Sequence, residues 1–190
     1  MEAKKLNNVS LEAYIAIEDE SDSKYEYHDG VIVAMAGGTV EHGLISANVL
    51  GELAISLRSK NNSCRPITSD VKVYIDISNK YLYPDGMVVC GGLERTQKEV
   101  GAITNPSVII EVLSKSTEGY DRGNKFFFYK QIPTLTEYLL IDQYHPQIDL
   151  YWKVDGQWHI TRAEGLENSL TIPSLDLALP LKDIYRDVFS

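Results

Sequence analysis

The sequence has little cysteine, no long apolar run and fewer basic than acidic residues. Its 190 residues include only two cysteines, Cys64 and Cys90, at a spacing that matches neither a zinc site nor a disulfide framework. We therefore expect two reduced thiols, as in most cytosolic proteins. Apolar runs such as residues 138–141 are far shorter than the roughly 20 residues that span a bilayer. Residues 1–8 contain lysines with no apolar run behind them, unlike a signal peptide. These absences predict a soluble, cytoplasmic protein that does not contact membranes.

The charge balance limits what the protein can bind strongly. The chain has 27 acidic and 18 basic residues, which gives a net charge of −9. Proteins that bind nucleic acid through many phosphates usually carry a basic face, so this balance argues against extensive phosphate contact. The apolar fraction of 44% and the charged fraction of 24% are ordinary. At this length they predict one domain over residues 1–190 that can bury its own core.

Turn and cap signals divide the chain into short elements. Asp29-Gly30 and Asp155-Gly156 each separate two strand-like segments, which predicts two β-hairpins. Ser10 and Thr39 each precede an apolar pattern of helical period, and we expect them to cap two helices. Further strands are expected over residues 71–75, 86–90, 107–113 and 137–142, and further helices over residues 120–132 and 181–188. This order predicts an α/β fold in which a mixed sheet is flanked by two main helices.

Two carboxylates are candidates for a metal site. Glu111 interrupts the apolar run of residues 108–113, and burying a lone carboxylate is costly unless a metal or a cation compensates it. Asp85 follows Pro84 at the start of another predicted strand. If the two strands are neighbours, both carboxylates reach one end of the sheet, where they would suit Mg²⁺ or Mn²⁺. Such an ion polarises a phosphodiester and activates water. The alternatives are that Asp85 is a turn residue, and that Glu111 is a salt-bridged core residue or faces solvent on an edge strand.

A helical segment follows the predicted Glu111 strand. Asp121, Lys125 and Tyr129 are spaced four residues apart, so they share one helical face. From this position Lys125 could stabilise charge on a phosphate or orient the attacking water. The alternative is an ordinary solvated helix face with an Asp121–Lys125 ion pair.

Taken together, these residues resemble the Uma-two family of restriction endonucleases, within the PD-(D/E)XK nuclease superfamily. The resemblance is carried by Pro84-Asp85, residues 111–117, Asp121-Arg122, Lys125, Tyr129, Glu137-Tyr138 and Ile141-Asp142, and it extends upstream to residues 25–30 and to Glu41-His42. It implies a restriction-endonuclease-like fold, with a mixed β-sheet flanked by helices and with added β-hairpins. It also implies divalent metal binding and phosphodiester cleavage, with Asp85 and Glu111 at the positions of the metal-binding acids.

One position departs from the superfamily pattern. The lysine of the E-x-K motif should fall at position 113, which is Leu113 here. Lys125 is our candidate for a replacement that has moved to the following helix. Lys115, two residues beyond the expected position, is the alternative.

Three more residues are possible members of the site. Glu26 could be a further acid near the metal, or a hairpin residue paired across its strand. His42 lies near the start of the second helix, where a lone histidine is more often a hydrogen-bonded packing residue than a ligand. Asp70 could add another acid or serve as a turn residue.

The function predicted from these residues is a Mg²⁺- or Mn²⁺-dependent endonuclease acting on DNA, with Asp85, Glu111 and Lys125 as its catalytic residues. The alternative is a catalytically inactive protein of nuclease fold that serves as a binding or structural module, which Leu113 and the net charge would also fit. Cleaving both strands of a duplex usually requires two sites, so we expect a homodimer. The hairpin aromatics Tyr151, Trp152 and Trp158 could form its interface, or could pack on the domain core.

Overall fold

The computed structural model of the protein describes residues 5–35, 37–60, 63–97 and 101–189. Its α-helices are α1 (Leu11–Asp19), α2 (Val40–Ser59), α3 (Glu118–Tyr120), α4 (Phe126–Tyr129) and α5 (Leu181–Ile184), and a π-helical segment, Asp121–Lys125, joins α3 to α4. The strands are β1 (Lys5–Asn7), β2 (Tyr25–His28), β3 (Val31–Ala34), β4 (Arg65–Thr68), β5 (Val73–Ile75), β6 (Lys80–Leu82), β7 (Gly86–Val89), β8 (Val108–Leu113), β9 (Glu137–Asp142), β10 (Gln147–Val154), β11 (Gln157–Glu164), β12 (Ser169–Ile172) and β13 (Leu177–Pro180).

The largest sheet has six strands in the order β11-β10-β9-β8-β7-β4. Its central pair, β8 and β9, is parallel, and its other pairs are antiparallel. A parallel pair requires a crossover connection, and the segments from α3 to α4 lie in this crossover. All six residues of β8 are buried, as expected for a strand with both faces covered.

Helix α2 covers one face of this sheet. Ile45, Val49, Leu53 and Leu57 are buried at four-residue intervals, so they form one apolar stripe. The stripe packs with alternate residues of β8, such as Val108 and Ile110. Glu111 therefore points to the opposite face, where a second apolar cluster contains Ile109 and Leu113 of β8 together with Tyr129 and Tyr138.

Both predicted helix caps are confirmed. Ser10 Oγ accepts a hydrogen bond from Ala13 N at 3.2 Å, and Thr39 Oγ1 accepts one from His42 N at 3.2 Å. Both predicted hairpins are confirmed as well. Asp29 and Gly30 have φ values of 47° and 93°, and Asp155 and Gly156 have values of 50° and 77°. Two positive φ values in a two-residue loop are the mark of a type I′ turn.

The β2–β3 hairpin belongs to a separate five-stranded sheet, ordered β1-β3-β2-β6-β5. Tyrosines fill the core beneath it, and Tyr74 and Tyr81 stack with ring centroids 4.5 Å apart. The expectation of one mixed sheet is therefore incomplete, because β5 joins this second sheet rather than lying beside β7. The reason is local: Asn79 adopts a left-handed conformation with φ 46°, and this turn folds β6 back onto β5.

The expectation of two reduced thiols is wrong, because Cys64 and Cys90 form a disulfide. Cys64 precedes Arg65 and Cys90 follows Val89, and these two neighbours are a cross-strand pair of β4 and β7. The antiparallel register therefore places the two cysteines opposite each other. A separation of 26 residues gives no hint of that register. Within the described residues, none of the helices has both the length and the apolar composition required to cross a bilayer.

Candidate functional site

Glu111 and Lys125 form a buried ion pair. Glu111 lies on β8 with 2% of its surface exposed, and Lys125 lies in the π-helical segment with 5% exposed. Lys125 Nζ is 2.8 Å from Glu111 Oε1. The contact is an ion pair rather than an aligned hydrogen bond, since Oε1 has no hydrogen-bond partner among the described residues.

Several acceptors surround the ammonium group of Lys125. Nζ donates a hydrogen bond to the carbonyl oxygen of Tyr83 at 2.9 Å. It also lies 3.6 Å from Glu26 Oε1 and 3.8 Å from Asp121 Oδ1. Burial alone would lower the pKa of Lys125, but the negative charges of Glu111, Glu26 and Asp121 outweigh it and hold that pKa well above its ordinary value. Lys125 is therefore a stable cation inside the protein.

The backbone of the crossover explains how Lys125 reaches Glu111. Asp121–Lys125 is π-helical, and single π-helical turns inside α-helices are frequent at functional sites. Asp121 and Lys125 are both buried, as the shared face predicted. Tyr129 is fully buried on the same face, and among the described residues its hydroxyl has no hydrogen-bond partner. Burial first, and then the charge of Glu111, raises the pKa of Tyr129 well above its usual range.

Asp85 is fixed beside Glu111 by the backbone of β8. Its Oδ2 accepts a hydrogen bond from Val112 N at 2.7 Å and lies 3.2 Å from His42 Nε2 on α2. Burial raises the pKa of Asp85, but the hydrogen bond and the charge of His42, together with the charge of Lys125, bring it below the ordinary value. The side chain of Asp85 is 19% exposed, against 3% for that of Glu111, so Asp85 is the more accessible of the two acids.

Glu26 enters the cluster from the five-stranded sheet. Its Oε1 accepts a hydrogen bond from Tyr83 N at 3.3 Å. Its Oε2 accepts one from the Tyr120 hydroxyl at 3.2 Å and lies 3.3 Å from His28 Nε2. Sequence reasoning missed both His28 and Tyr120. The signal for His28 was its spacing, since residues two apart on a strand share a face.

The two remaining sequence candidates lie elsewhere. Asp70 is at the surface, with 78% of its side chain exposed and an ion pair to Lys24 at 2.7 Å. Lys115 is exposed, and its Nζ lies 5.3 Å from the ring centroid of Tyr144. Leu113, at the position expected for lysine, is 2% exposed and packs in the core. The structure thus places Lys125, and not Lys115, against Glu111.

The charges in this cluster are compatible with a divalent cation. Three carboxylates, those of Glu26, Glu111 and Asp121, lie within 3.8 Å of Lys125 Nζ. His28 contacts Glu26, and His42 contacts a fourth carboxylate, that of Asp85. Burial raises the pKa of Glu111 well above its usual range; Lys125 opposes that shift, whereas the charges of Asp121 and Asp85 add to it. A cation would relieve this excess of negative charge.

Among the described residues, the donor set is smaller than a structural zinc site needs. Among the described residues, no three histidine, cysteine, aspartate or glutamate side chains are grouped so as to enclose an ion. Structural zinc sites need four such ligands, whereas Mg²⁺ is commonly held by one or two carboxylates together with water and phosphate oxygens. The carboxylates of Asp85 and Glu111 fit that smaller requirement, with Glu111 Oε1 also paired to Lys125.

Comparison with known proteins places these residues in a wider group. The family model Uma2, described as "Putative restriction endonuclease", matches residues 11–182. The uncharacterized protein slr1290 of Synechocystis is 37% identical over 179 residues, covering 94% of this chain and 92% of its own. A second Synechocystis protein, the uncharacterized sll1609, is 37% identical over 153 residues, covering 80% and 85%. The crystal structure of "a putative nuclease belonging to DUF820" from Anabaena variabilis has the same fold, with a TM-score of 0.75 and 16% identity over 95% of this chain and 99% of that one.

Proposed function

Because the chain belongs to the Uma2 family of restriction endonucleases, we propose that it is a metal-dependent endonuclease that hydrolyses phosphodiester bonds of DNA. The observation that carries the proposal is the buried Glu111–Lys125 pair, with Asp85 bonded to the backbone of the residue next to Glu111. Acidic ligands and a cation adjacent to one another are what phosphodiester hydrolysis requires. A cytoplasmic location and a homodimeric state are parts of the same proposal.

Asp85 and Glu111 would hold the metal, Mg²⁺ or Mn²⁺. Asp85 is already oriented by the Val112 amide and by His42, and Glu111 is held in place by Lys125 at 2.8 Å. When bound, the ion would polarise the phosphodiester and lower the pKa of a bound water. Glu111 is costly to bury alone, and Lys125 compensates its charge from 2.8 Å; a bound metal ion would add to that compensation.

Lys125 would supply the positive charge that the superfamily motif places two residues after the glutamate. Its ammonium is fixed by the Tyr83 carbonyl and lies between Glu111 and Glu26. A fixed cation stabilises the negative charge that develops on phosphate in the transition state without reorganising during the reaction. Glu26 acts through Lys125 as a positioning residue, held in turn by Tyr120.

An acidic protein can act on DNA if few contacts carry the binding. With a net charge of −9, binding through many phosphates is unfavourable. A metal ion and Lys125 provide local positive charge at the scissile phosphate alone. The proposal therefore predicts weak binding that is lost as the salt concentration rises.

Calorimetric titration with Mn²⁺ tests the metal site. The wild type should bind one ion per chain, the Glu111→Gln variant should bind it at least about tenfold more weakly, and Asp70→Asn should match the wild type because Asp70 lies at the surface. Binding that is unchanged by Glu111→Gln, or no binding to any of the three proteins, would contradict the metal site and favour a catalytically inactive protein of nuclease fold.

A further inference from the structure

The outer strand of the six-stranded sheet is an open edge. β11 pairs only with β10 and is eight residues long. The opposite edge strand, β4, has four residues and contains Pro66, which cannot donate a backbone hydrogen bond. Short strands, proline and lysine are the usual protection of an edge against pairing with another chain. β11 contains neither proline nor lysine, and its charged residues are Arg162 and Glu164.

The backbone of β11 alternates between groups that face β10 and groups that face outward. The Asp155-Gly156 turn closes with a hydrogen bond between the flanking residues Val154 and Gln157, which are partners in the register. Hydrogen-bonded and non-hydrogen-bonded pairs alternate from there. The N–H and C=O groups of Trp158, Ile160 and Arg162 therefore point away from β10. Within the described part of the chain, no other backbone group bonds to them.

The side chains on this edge are exposed although they include a large apolar residue. Ile160 is 63% exposed at the middle of β11. The Arg162 side chain is 53% exposed, and Asp149 fixes it through hydrogen bonds of 2.6 Å from Nε and 3.1 Å from Nη2. Trp158 is half-buried against Phe126, with ring centroids 5.1 Å apart. An aromatic ring and an ordered guanidinium group thus lie two residues to either side of Ile160.

We propose that two copies of the chain associate through β11, in an antiparallel pair centred on Ile160. In this register Ile160 faces Ile160 of the partner subunit, and Trp158 faces Arg162 of the partner subunit. Directly opposite residues share a face of the sheet, so apolar meets apolar and guanidinium meets aromatic ring. His159 faces Thr161 of the partner subunit, and no pair of like charges is formed. The edge is self-complementary, which an isologous dimer requires.

The dimer would have a two-fold axis perpendicular to the sheet at Ile160. The six-stranded sheet would continue through both copies, with the Glu111 face of each copy on the same side. This inference rests on the homodimeric state in the proposed function and names its interface. It does not depend on catalysis, since the pairing uses β11 alone and would form in a catalytically inactive protein too. Of the hairpin aromatics Tyr151, Trp152 and Trp158, which were expected to form the interface, only Trp158 contributes here, because backbone hydrogen bonds of the strand carry the association.

Cysteine cross-linking tests the register. Opposite residues of a hydrogen-bonded antiparallel pair have Cα atoms about 5.5 Å apart, within the range that a disulfide bridges. Ile160→Cys should therefore give a covalent dimer under mild oxidation. Thr161→Cys is the matched control, because its own counterpart lies diagonally at roughly 7–8 Å and should cross-link far less. Both native cysteines are held in the internal disulfide. Equal cross-linking at the two positions would overturn the proposal.

Light scattering over a concentration series tests the association itself. The wild type should reach twice the chain mass of 21.3 kDa. Ile160→Lys places two like charges opposite each other and should weaken the dimer by about tenfold or more. Ile55→Lys is the control, since Ile55 is 66% exposed on α2, far from the edge, and it should leave the dimer unchanged. A wild type that stays monomeric, or a dimer that Ile160→Lys does not weaken, would overturn the proposal. Nuclease activity enters neither readout, so either result is independent of the proposed catalytic activity.

Discussion

Lys125 Nζ lies 2.8 Å from Glu111 Oε1, although 14 positions separate the two residues in the sequence and they occupy a helical crossover and a central strand. The superfamily motif would place the lysine at position 113, on the same strand as the glutamate. Here Leu113 fills the core at that position, and the cation enters from the π-helical turn instead. In the proposed site, the same charge would thus be supplied from a different element.

Removing the lysine of the ion pair should lower the free energy of unfolding more than removing the charge of its glutamate. Lys125→Met leaves Glu111, Glu26 and Asp121 without their shared cation, so we expect a loss of about 3–5 kcal/mol in the free energy of unfolding. Glu111→Gln leaves Lys125 bonded to the Tyr83 carbonyl and near two other acids, so its stability should stay within about 1 kcal/mol of the wild type. Denaturant unfolding of both variants measures the difference. Equal losses would contradict the arrangement.

Asp149 should make the free energy of unfolding depend on pH in the acidic range. Burial raises the pKa of Asp149, but hydrogen bonds from Arg162 and Arg122 outweigh burial and hold it below the ordinary value. Its stabilising contribution is therefore present above the unfolded pKa of about 3.9 and is lost as pH falls through the folded pKa.

Asp149→Asn should cost about 1–3 kcal/mol at neutral pH, and the difference from the wild type should shrink as pH falls below about 4. Unfolding curves at several pH values measure it. If the difference in the free energy of unfolding between the two proteins did not change as pH fell, protonation of Asp149 would not weaken its pairing with the two arginines.

The pKa of His42 should depend on the charge of Asp85. The hydrogen bond with Asp85 raises the pKa of His42 above its ordinary value of 6.5, despite partial burial. The charged imidazole therefore stabilises the fold fully below that ordinary value, and its contribution is lost as pH rises through the raised pKa. We expect Asp85→Asn to lower the pKa of His42, as followed by NMR of the imidazole protons. Mg²⁺ bound at Asp85 should lower it too. If neither change altered the pKa of His42, His42 would not be coupled electrostatically to Asp85.

The unpartnered hydroxyl of Tyr129 should lower the free energy of unfolding. A buried hydroxyl without a hydrogen bond is unfavourable by about 1–3 kcal/mol, so Tyr129→Phe should raise the free energy of unfolding by about 1 kcal/mol. Tyr14→Phe is the matched control. Tyr14 is equally buried, but its hydroxyl donates to the Tyr25 carbonyl at 3.0 Å, so the same change should destabilise the protein. Loss of stability in both variants would indicate that Tyr129 has a partner in solution.

Local signals in the sequence predicted local features correctly. Ser10, Thr39 and the two Asp-Gly turns act through residues no more than three positions away, so caps and hairpins follow from short-range chemistry. The burial of Glu111 followed from its apolar neighbours. Features that depend on register between distant segments were missed, namely the second sheet and the Cys64–Cys90 disulfide. The Tyr120–Glu26 hydrogen bond joins residues 94 positions apart, and no pattern in either segment indicates the other.

Cleavage of supercoiled plasmid tests the central claim most directly. Wild type, an Asp85→Asn/Glu111→Gln double variant and Asp70→Asn would be incubated with plasmid at low salt, with Mg²⁺, with Mn²⁺ or with chelator. The account predicts nicking or linearisation that needs metal, is retained by Asp70→Asn and is lost in the double variant. Cleavage by the double variant at the wild-type rate, or a wild type that leaves the plasmid intact in both metals, would contradict a nuclease site built on Asp85 and Glu111.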